Sequence, residues 1–319
     1  MTPAGEILAE EIRGSGPIPF RRFMEVALYH PQFGYYRIPR DPFGKDGDFY
    51  TAEQLQPVFG RLIRKEIDSL FAQMPGISRT VVELGAGREE MRGALEGITY
   101  LPIESADGAM PAEFSGIVFA NEFFDALPVD VVVRRGDRVL LRRVDYQDGR
   151  FAFIDAETAS DGTAGLIDVL EDNQVIEVST AAMEWMDRIA AALVRGFVLL
   201  IDYGYTRREL VRFPEGTLMS YRHHRTSEDV LSDPGTRDIT AHVCFSALEG
   251  RAVSAGLRVV RFESLAQTLL RAGEPDQFAS AIAGSSDAER QRHQLQLKTL
   301  LFGMGETFRV LLLEKRGLE

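Results

Sequence analysis

The sequence is nearly devoid of cysteine, since Cys244 is the only one among 319 residues. A single thiol excludes a disulfide within the chain and any zinc site built from a cysteine cluster. No apolar run approaches the ~20 residues of a membrane span, and the acidic first turns match neither a signal nor a transit peptide. These absences predict a protein without membrane insertion in a reducing compartment, and we expect a cytoplasmic location.

The sequence also has fewer basic than acidic residues. Lysine and arginine total 36 against 48 aspartates and glutamates, which gives a net charge of −12. Because an acidic chain binds a phosphate backbone poorly, we expect no nucleic-acid partner. The charge suits a basic protein substrate as well as it suits simple solubility. The adjacent His223 and His224 point apart, so we predict no metal site.

Hydrophobic patterning predicts an α/β fold, because apolar strands alternate with helical segments. The main signals are helices at 53–73, 88–95 and 180–195 and strands at 80–84, 116–120, 196–202 and 308–314. This order favours a doubly wound, mostly parallel sheet. We assign 1–76 to an N-terminal helical and loop segment and 77–319 to the main domain, with insertions at 129–165 and 206–240.

The first predicted strand of the sheet ends in Glu83-Leu84-Gly85-Ala86-Gly87, an acid followed by a tight glycine turn. A dinucleotide-binding turn would read G-x-G-x-x-G, with an acid about 20 residues later. Here the sixth position is a glutamate, and an acid precedes the turn. S-adenosylmethionine (SAM) carries a sulfonium cation and no phosphate, so an acidic turn suits it better than it suits a pyrophosphate. The pattern predicts a Rossmann-like, SAM-dependent fold.

Polar side chains follow the next two predicted strands. Glu104 ends the second strand 21 residues after Glu83, where an acid can hold the ribose hydroxyls of an adenosine; standing alone, it would be an ordinary surface acid. Asn121, Glu122 and Asp125 follow the third apolar run. Carboxylates there could grip a cationic acceptor nitrogen and orient it toward a sulfonium methyl group. Asp125 could equally be only a helix N-cap.

Two further clusters have alternatives that the residues leave open. Asp48 and Thr51 either cap the following helix or fold over the cofactor. Asp238 and His242 combine an acid and an imidazole before a helical stretch. A base that titrates near neutral pH would suit proton removal after methyl transfer, but such a histidine is often a structural hydrogen-bonding group.

In order and spacing, these segments resemble the MidA family of SAM-dependent methyltransferases. The motifs that carry the resemblance include Asn-Glu-Phe-Phe-Asp-Ala-Leu-Pro at 121–128 and stretches at 29–31, 34–36, 47–51, 59–60, 83–88, 202–204, 216–218, 238–243 and 304–306. They are spread over nearly the whole chain. The resemblance implies a class I methyltransferase sheet with a helical N-terminal segment and an inserted substrate-side cap.

The resemblance also implies roles for individual residues. The cofactor would be held by Asp48, Thr51, Glu83, Gly85, Ala86, Gly87, Glu104, Ser105 and Asn121. Glu122, Asp125 and His242 would be catalytic, and Tyr203 and Asp238 would bind the substrate. The implied acceptor is a protein arginine, with a subunit of the respiratory NADH dehydrogenase (complex I) as candidate partner. The oligomeric state is left open.

Three departures from the family pattern motivate rival hypotheses. Glu89 stands where the family usually has glycine, Cys244 stands where it tends to have aspartate, and the segment at 105–109 is shorter than in the family. A cofactor pocket degraded by these changes would make the chain a non-catalytic assembly chaperone. The other rival is a nicotinamide-dependent oxidoreductase, which the acid before the glycine turn disfavours.

Overall fold

A computed structural model describes residues 1–37, 55–104, 108–157, 170–222 and 225–317. The described residues fall into two compact units. Unit 1 comprises those within Met1–Tyr50, Ala126–Ala182 and Tyr205–His242, and unit 2 comprises those within Thr51–Asp125, Met183–Gly204 and Val243–Glu319. Each unit is therefore assembled from segments that are distant in sequence. The division of the chain at residue 76 stays a prediction.

The described residues form fifteen strands and seven α-helices. In chain order the strands are β1 (Ile18–Pro19), β2 (Thr80–Leu84), β3 (Thr99–Ile103), β4 (Phe114–Asn121), β5 (Asp130–Arg135), β6 (Arg138–Gln147), β7 (Arg150–Glu157), β8 (Val175–Val178), β9 (Leu193–Tyr205), β10 (Met219–Arg222), β11 (Arg225–Ser227), β12 (Asp238–Thr240), β13 (Val243–Cys244), β14 (Arg258–Ser264) and β15 (Phe308–Lys315). The helices are α1 (Pro3–Ser15), α2 (Phe20–Tyr29), α3 (Val58–Ala72), α4 (Thr180–Ala192), α5 (Phe245–Ser254), α6 (Leu265–Gly273) and α7 (Asp287–Thr299).

The central sheet of unit 2 is mixed, with the strand order β14–β15–β9–β4–β2–β3. The pairs β3–β2, β2–β4 and β4–β9 are parallel, whereas β15 runs antiparallel to both β9 and β14. The predicted Rossmann-like class is confirmed, with antiparallel strands added at one side. Because four strands are parallel, the ends of β2, β3, β4 and β9 lie at one edge, where open α/β sheets bind ligands.

The helix predicted at 88–95 is wrong. Residues 87–97 instead form successive turns, in which the Glu89 N–H donates to the Ala86 carbonyl at 2.6 Å and the Arg92 N–H to the Glu89 carbonyl at 2.9 Å. Glu89 has a φ of +58°, which is incompatible with a right-handed helix. The periodicity of the apolar residues did not reveal this backbone reversal.

Unit 1 is built on an antiparallel sheet, in which β6 pairs with β7, with β5 and with the short β1, and β8 pairs with β5. Strands β5, β6 and β7 are the meander predicted for 129–154. Helices α1 and α2 contribute Leu8, Phe20 and Phe23 to the buried core of this unit. None of the described helices is long and apolar enough to cross a membrane.

A buried ionic cluster holds helices against the sheet in unit 2. Glu66 of α3 is only 4% exposed, and its carboxylate pairs with Arg261 of β14 and lies 3.6 Å from Nη2 of Arg271 on α6. Both arginines keep contact with water. The cluster links α3, β14 and α6. Glu263 also pairs with both arginines, so losing the Glu66 carboxylate would leave the two cations with one shared acid instead of two.

We predict that Glu66→Ala lowers the free energy of unfolding by about 2–3 kcal/mol, below the ~3–5 kcal/mol of a fully buried pair because the arginines remain partly solvated. Asp68→Ala on the same helix is the matched control. Asp68 is 44% exposed and pairs with Arg64, so its loss should cost only ~0–1 kcal/mol. Urea denaturation measures both, and equal effects would contradict the assignment.

Candidate functional site

The turn after β2 needs glycine at two positions. Gly85 has a φ of +69° and Gly87 a φ of +52°, the left-handed region that favours glycine. A Cβ on Gly85 would lie 2.8 Å from Cδ2 of Phe123. The Phe123 ring therefore packs directly on the turn, and no larger residue fits at position 85.

Two amides of this turn are already engaged. The Gly85 N–H donates to the Ile103 carbonyl at 2.7 Å, and the Gly87 N–H donates to Oε1 of Glu104 at 2.8 Å. The structure thus brings Glu104 against the glycine turn. Because a phosphate-binding turn directs its amides at the ligand, this arrangement is poorly suited to a pyrophosphate.

Glu83 is held in place by a residue that the sequence analysis did not assign. Its side chain is buried, and Oε2 accepts a hydrogen bond from the Tyr100 hydroxyl. Tyr100 lies opposite Val81 in the parallel pair of β2 and β3, and Glu83 is the next residue on that face. The sequence could have indicated this contact, because Tyr100 lies on the adjacent strand and pairs with the residue two positions before Glu83.

The chain reverses sharply where β4 ends. Glu122 has a φ of +51°, and its N–H donates to the Ile201 carbonyl at 2.9 Å. Asn121 is buried, and its Nδ2 donates to Oε1 of Glu122 at 3.2 Å. Oδ1 of Asn121 has no hydrogen-bond partner among the described residues. A buried acceptor of this kind is normally satisfied, so it is available to a donor on a bound ligand.

Asp202, at the end of β9, organises the same turn, and the sequence analysis gave it no role. Its Oδ2 accepts hydrogen bonds from the N–H groups of Phe124 at 3.0 Å and Asp125 at 3.3 Å. Asp125 in turn accepts a hydrogen bond from the Tyr203 hydroxyl. Burial, followed by the charges of Asp125 and Glu122, raises the pKa of Asp202 well above its usual value. An acid at the end of an otherwise apolar strand was the missed signal.

These groups fit the parts of SAM. The side-chain oxygens that the site offers are hydrogen-bond acceptors: the anionic carboxylates of Glu83, Glu104 and Glu122 and the neutral amide oxygen of Asn121. The methionine head group carries an ammonium and a sulfonium, and the ribose offers two hydroxyl donors, so each can find a complementary atom at this edge. Among the described residues, no group of histidine, cysteine and acidic side chains could hold a metal ion.

Two predicted site residues lie in unit 1. Asp238 is buried, and its Oδ1 accepts a hydrogen bond from the Tyr36 hydroxyl at 2.8 Å. The backbone N–H of His242 donates to Oγ1 of Thr217 at 2.9 Å, and burial lowers the pKa of the His242 imidazole. Thr217 also donates from Oγ1 to the buried Glu177 at 2.8 Å. The roles of Asp238 and His242 stay predictions, and Asp48, Thr51 and Ser105 lie outside the described residues.

Comparison with known proteins identifies the family. A family model described as "Putative S-adenosyl-L-methionine-dependent methyltransferase" matches residues 93–263. A solved structure from Burkholderia thailandensis, described as a methyl transferase candidate bound to S-adenosyl-homocysteine, is 30% identical. It has a TM-score of 0.90 and covers 98% of this chain and 92% of its own.

Curated relatives agree. The "Protein arginine methyltransferase NDUFAF7, mitochondrial" of Danio rerio is 28% identical over 307 residues, which are 77% of this chain and 71% of that relative. The homologue of Caenorhabditis elegans is 25% identical and covers 98% of this chain and 87% of its own.

The names of these relatives correct one expectation. Both are named as mitochondrial proteins, so the predicted cytoplasmic location is wrong. Scarcity of cysteine excludes a disulfide framework but does not distinguish one reducing compartment from another. The comparisons favour neither the oxidoreductase nor the non-catalytic chaperone. The chain belongs to the MidA-like family of SAM-dependent methyltransferases.

Proposed function

We propose that this methyltransferase modifies an arginine side chain of a protein substrate. The curated relatives are named protein arginine methyltransferases, which supports an arginine as the acceptor. The resemblance to the MidA family supports a subunit of the respiratory NADH dehydrogenase as the substrate, with a role in complex I assembly. The acidic net charge of the chain is compatible with a basic protein segment as its partner.

On the cofactor side, we assign the methionine part of SAM to Glu83, Gly85, Ala86 and Gly87, and the ribose to Glu104. When bound, SAM supplies a methyl group attached to a positively charged sulfur. The burial of Glu83 supports this assignment, because a buried carboxylate interacts with a cation more strongly than an exposed one.

The convergence of three carboxylates where β4 and β9 end carries the acceptor assignment. Asp202 and Asp125 are buried and Glu122 is half-buried, and their mutual repulsion contributes to the raised pKa of Asp202. A guanidinium is effectively always protonated and binds carboxylates in a bidentate manner. It would relieve the repulsion, and Glu122 and Asp125 would orient its nitrogen.

The proton that the arginine nitrogen loses needs an acceptor. We propose catalytic roles for Glu122 and Asp125 in unit 2 and for His242 in unit 1, and substrate-binding roles for Tyr203 in unit 2 and Asp238 in unit 1. The lowered pKa of His242 supports a neutral imidazole, which can accept a proton. The hydrogen bond from Tyr203 to Asp125 supports a role for Tyr203 in orienting that carboxylate.

For the cofactor site, we predict micromolar binding of SAM and no measurable binding of NADH in calorimetric titrations. Glu83→Ala should weaken SAM binding by about tenfold to a hundredfold, since a hydrogen bond to a charged group is worth ~1.5–3 kcal/mol. Glu96→Ala, which removes an exposed acid of the same segment, is the control and should bind SAM as the wild type does. Tight NADH binding without SAM binding would contradict the proposal.

For the acceptor site, we predict that Glu122→Gln slows methyl transfer about a hundredfold or more, because a positioning and proton-transfer charge is lost. SAM affinity should stay unchanged, since the shape is retained. Radiolabelled SAM added to a lysate without the endogenous enzyme measures the rate on the labelled protein band. The exposed Glu113→Gln serves as control. Labelling by Glu122→Gln at the wild-type rate, or label on a residue other than arginine, would refute the corresponding part of the proposal.

For Asp202, we predict that stability falls as pH rises. The folded-state pKa lies above the usual value of 3.8, so the folded protein binds the extra proton, and the free energy of unfolding declines from about pH 4 up to the raised pKa. Asp202→Asn should flatten this decline, whereas Asp137→Asn, at an exposed turn, should not. Urea denaturation from pH 4 to 8 measures the slopes, and identical slopes for wild type and Asp202→Asn would show that folding does not raise the pKa of Asp202.

A further inference from the structure

Glu89 occupies a backbone position that glycine would fill with less strain. Its φ of +58° lies in the left-handed region, which an L residue adopts only at an energetic cost. A side chain kept under such strain calls for a reason in its contacts.

The contacts of Glu89 connect it, through two other side chains, to Glu83. Its Oε2 accepts a hydrogen bond from Nε of Arg92, and Nη2 of Arg92 approaches the same oxygen. The Arg92 guanidinium lies over the Tyr100 ring, 4.9 Å from its centroid. The Tyr100 hydroxyl donates to Oε2 of Glu83. The side chains therefore contact one another in series, from Glu89 and Arg92 in the turns after β2, through Tyr100 on β3, to Glu83 on β2.

We propose that Glu89 is a positioning residue for SAM binding, which acts through Arg92 and Tyr100 to fix the carboxylate of Glu83. The inference rests on the proposed role of Glu83 at the methionine part of the cofactor. Glu89 holds the guanidinium over the ring, the guanidinium restrains the ring, and the ring's hydroxyl holds the carboxylate in one orientation. A carboxylate already oriented binds a cation with less loss of side-chain freedom.

The positioning role and a degraded pocket predict opposite effects of Glu89→Gly on SAM affinity. If Glu89 only obstructed the turn, glycine would tighten SAM binding. If Glu89 positions Glu83, glycine relaxes the backbone but releases Arg92, and SAM binds less tightly. The side chains of Glu89 and Arg92 are 35% and 59% exposed, so their pairing is screened by salt and the effect should shrink as ionic strength rises.

The test measures the SAM dissociation constant and the thermal midpoint of full-length variants. Glu89→Gly, Glu89→Gln and Arg92→Gln should each weaken SAM about two- to fivefold, as expected for an exposed pair. Tyr100→Phe keeps the ring under Arg92 and removes only the hydroxyl, and should weaken SAM about tenfold. Glu90→Gln, which changes the neighbouring acid, should bind SAM as the wild type does.

A double-mutant comparison separates positioning from a merely structural role. Because Glu89 acts through the Tyr100 hydroxyl, Glu89→Gln added to Tyr100→Phe should weaken SAM no further than Tyr100→Phe alone. Unchanged thermal midpoints with these affinity losses support the proposal. Additive losses, or Glu89→Gly binding SAM as tightly as or more tightly than the wild type, would overturn it.

The Glu83→Ala variant distinguishes a failure of the cofactor assignment of Glu83 from a failure of the positioning role of Glu89. If it binds SAM normally, Glu83 does not contact the cofactor, and both the cofactor assignment and the role of Glu89 fall. If Glu83→Ala binds weakly while the Glu89 and Arg92 variants bind as the wild type does, the cofactor assignment stands and only the positioning role is refuted.

Discussion

The polar edge of unit 2 depends on the carboxylate of Asp202. It accepts the N–H groups of Phe124 and Asp125 and so ties the turn after β4 to the end of β9. Burying an acid is costly unless hydrogen bonds compensate it, and three amide donors, those of Phe124, Asp125 and Tyr203, do so here. The same acid lies close enough to Asp125 and Glu122 for their charges to raise its pKa. One interaction therefore shapes the turn and brings three carboxyl groups together, and in the proposed function a cationic acceptor would stabilise their charged forms.

The proposed cofactor side and the proposed acceptor side share a packing contact. Phe123 follows Glu122 in the turn, and its ring covers Gly85 so closely that a Cβ there would be excluded. Phe123 also packs edge-on against Phe124 and Trp185. Because interiors are close-packed, a shift of this ring would be transmitted to the glycine turn. Phe123 thus sets the spacing between the glycine turn and the carboxylates, and Phe124 packs against it, which explains apolar residues inside an otherwise acidic motif.

The sequence predicted local features well and distant contacts poorly. The strand Thr80–Leu84 was predicted with the bounds that the structure has, and Glu104 was predicted at the ligand edge because parallel strands end together. The helix after β2 was wrong because one left-handed residue, Glu89, interrupts it. Tyr100 and Asp202 were not assigned because their partners lie 17 and about 78 residues away along the chain. Such pairings follow from sheet register, which hydrophobic patterning does not specify by itself.

Two departures from the family pattern have separate physical consequences. Cys244 is the N-cap residue of α5, where an aspartate would bond to the helix amides and complement the dipole, so this change bears on the stability of one helix by about 1 kcal/mol. Glu89 lies in the turn itself, but its side chain pairs with Arg92, and the turn still brings Gly87 to Glu104. Neither change removes a polar group from the edge of the sheet. A lost pocket would require the hydrogen bonds around Gly85, Gly87 and Glu104 to be broken, and they are intact. The departures therefore modify how the site is supported, while its acceptor atoms remain in place.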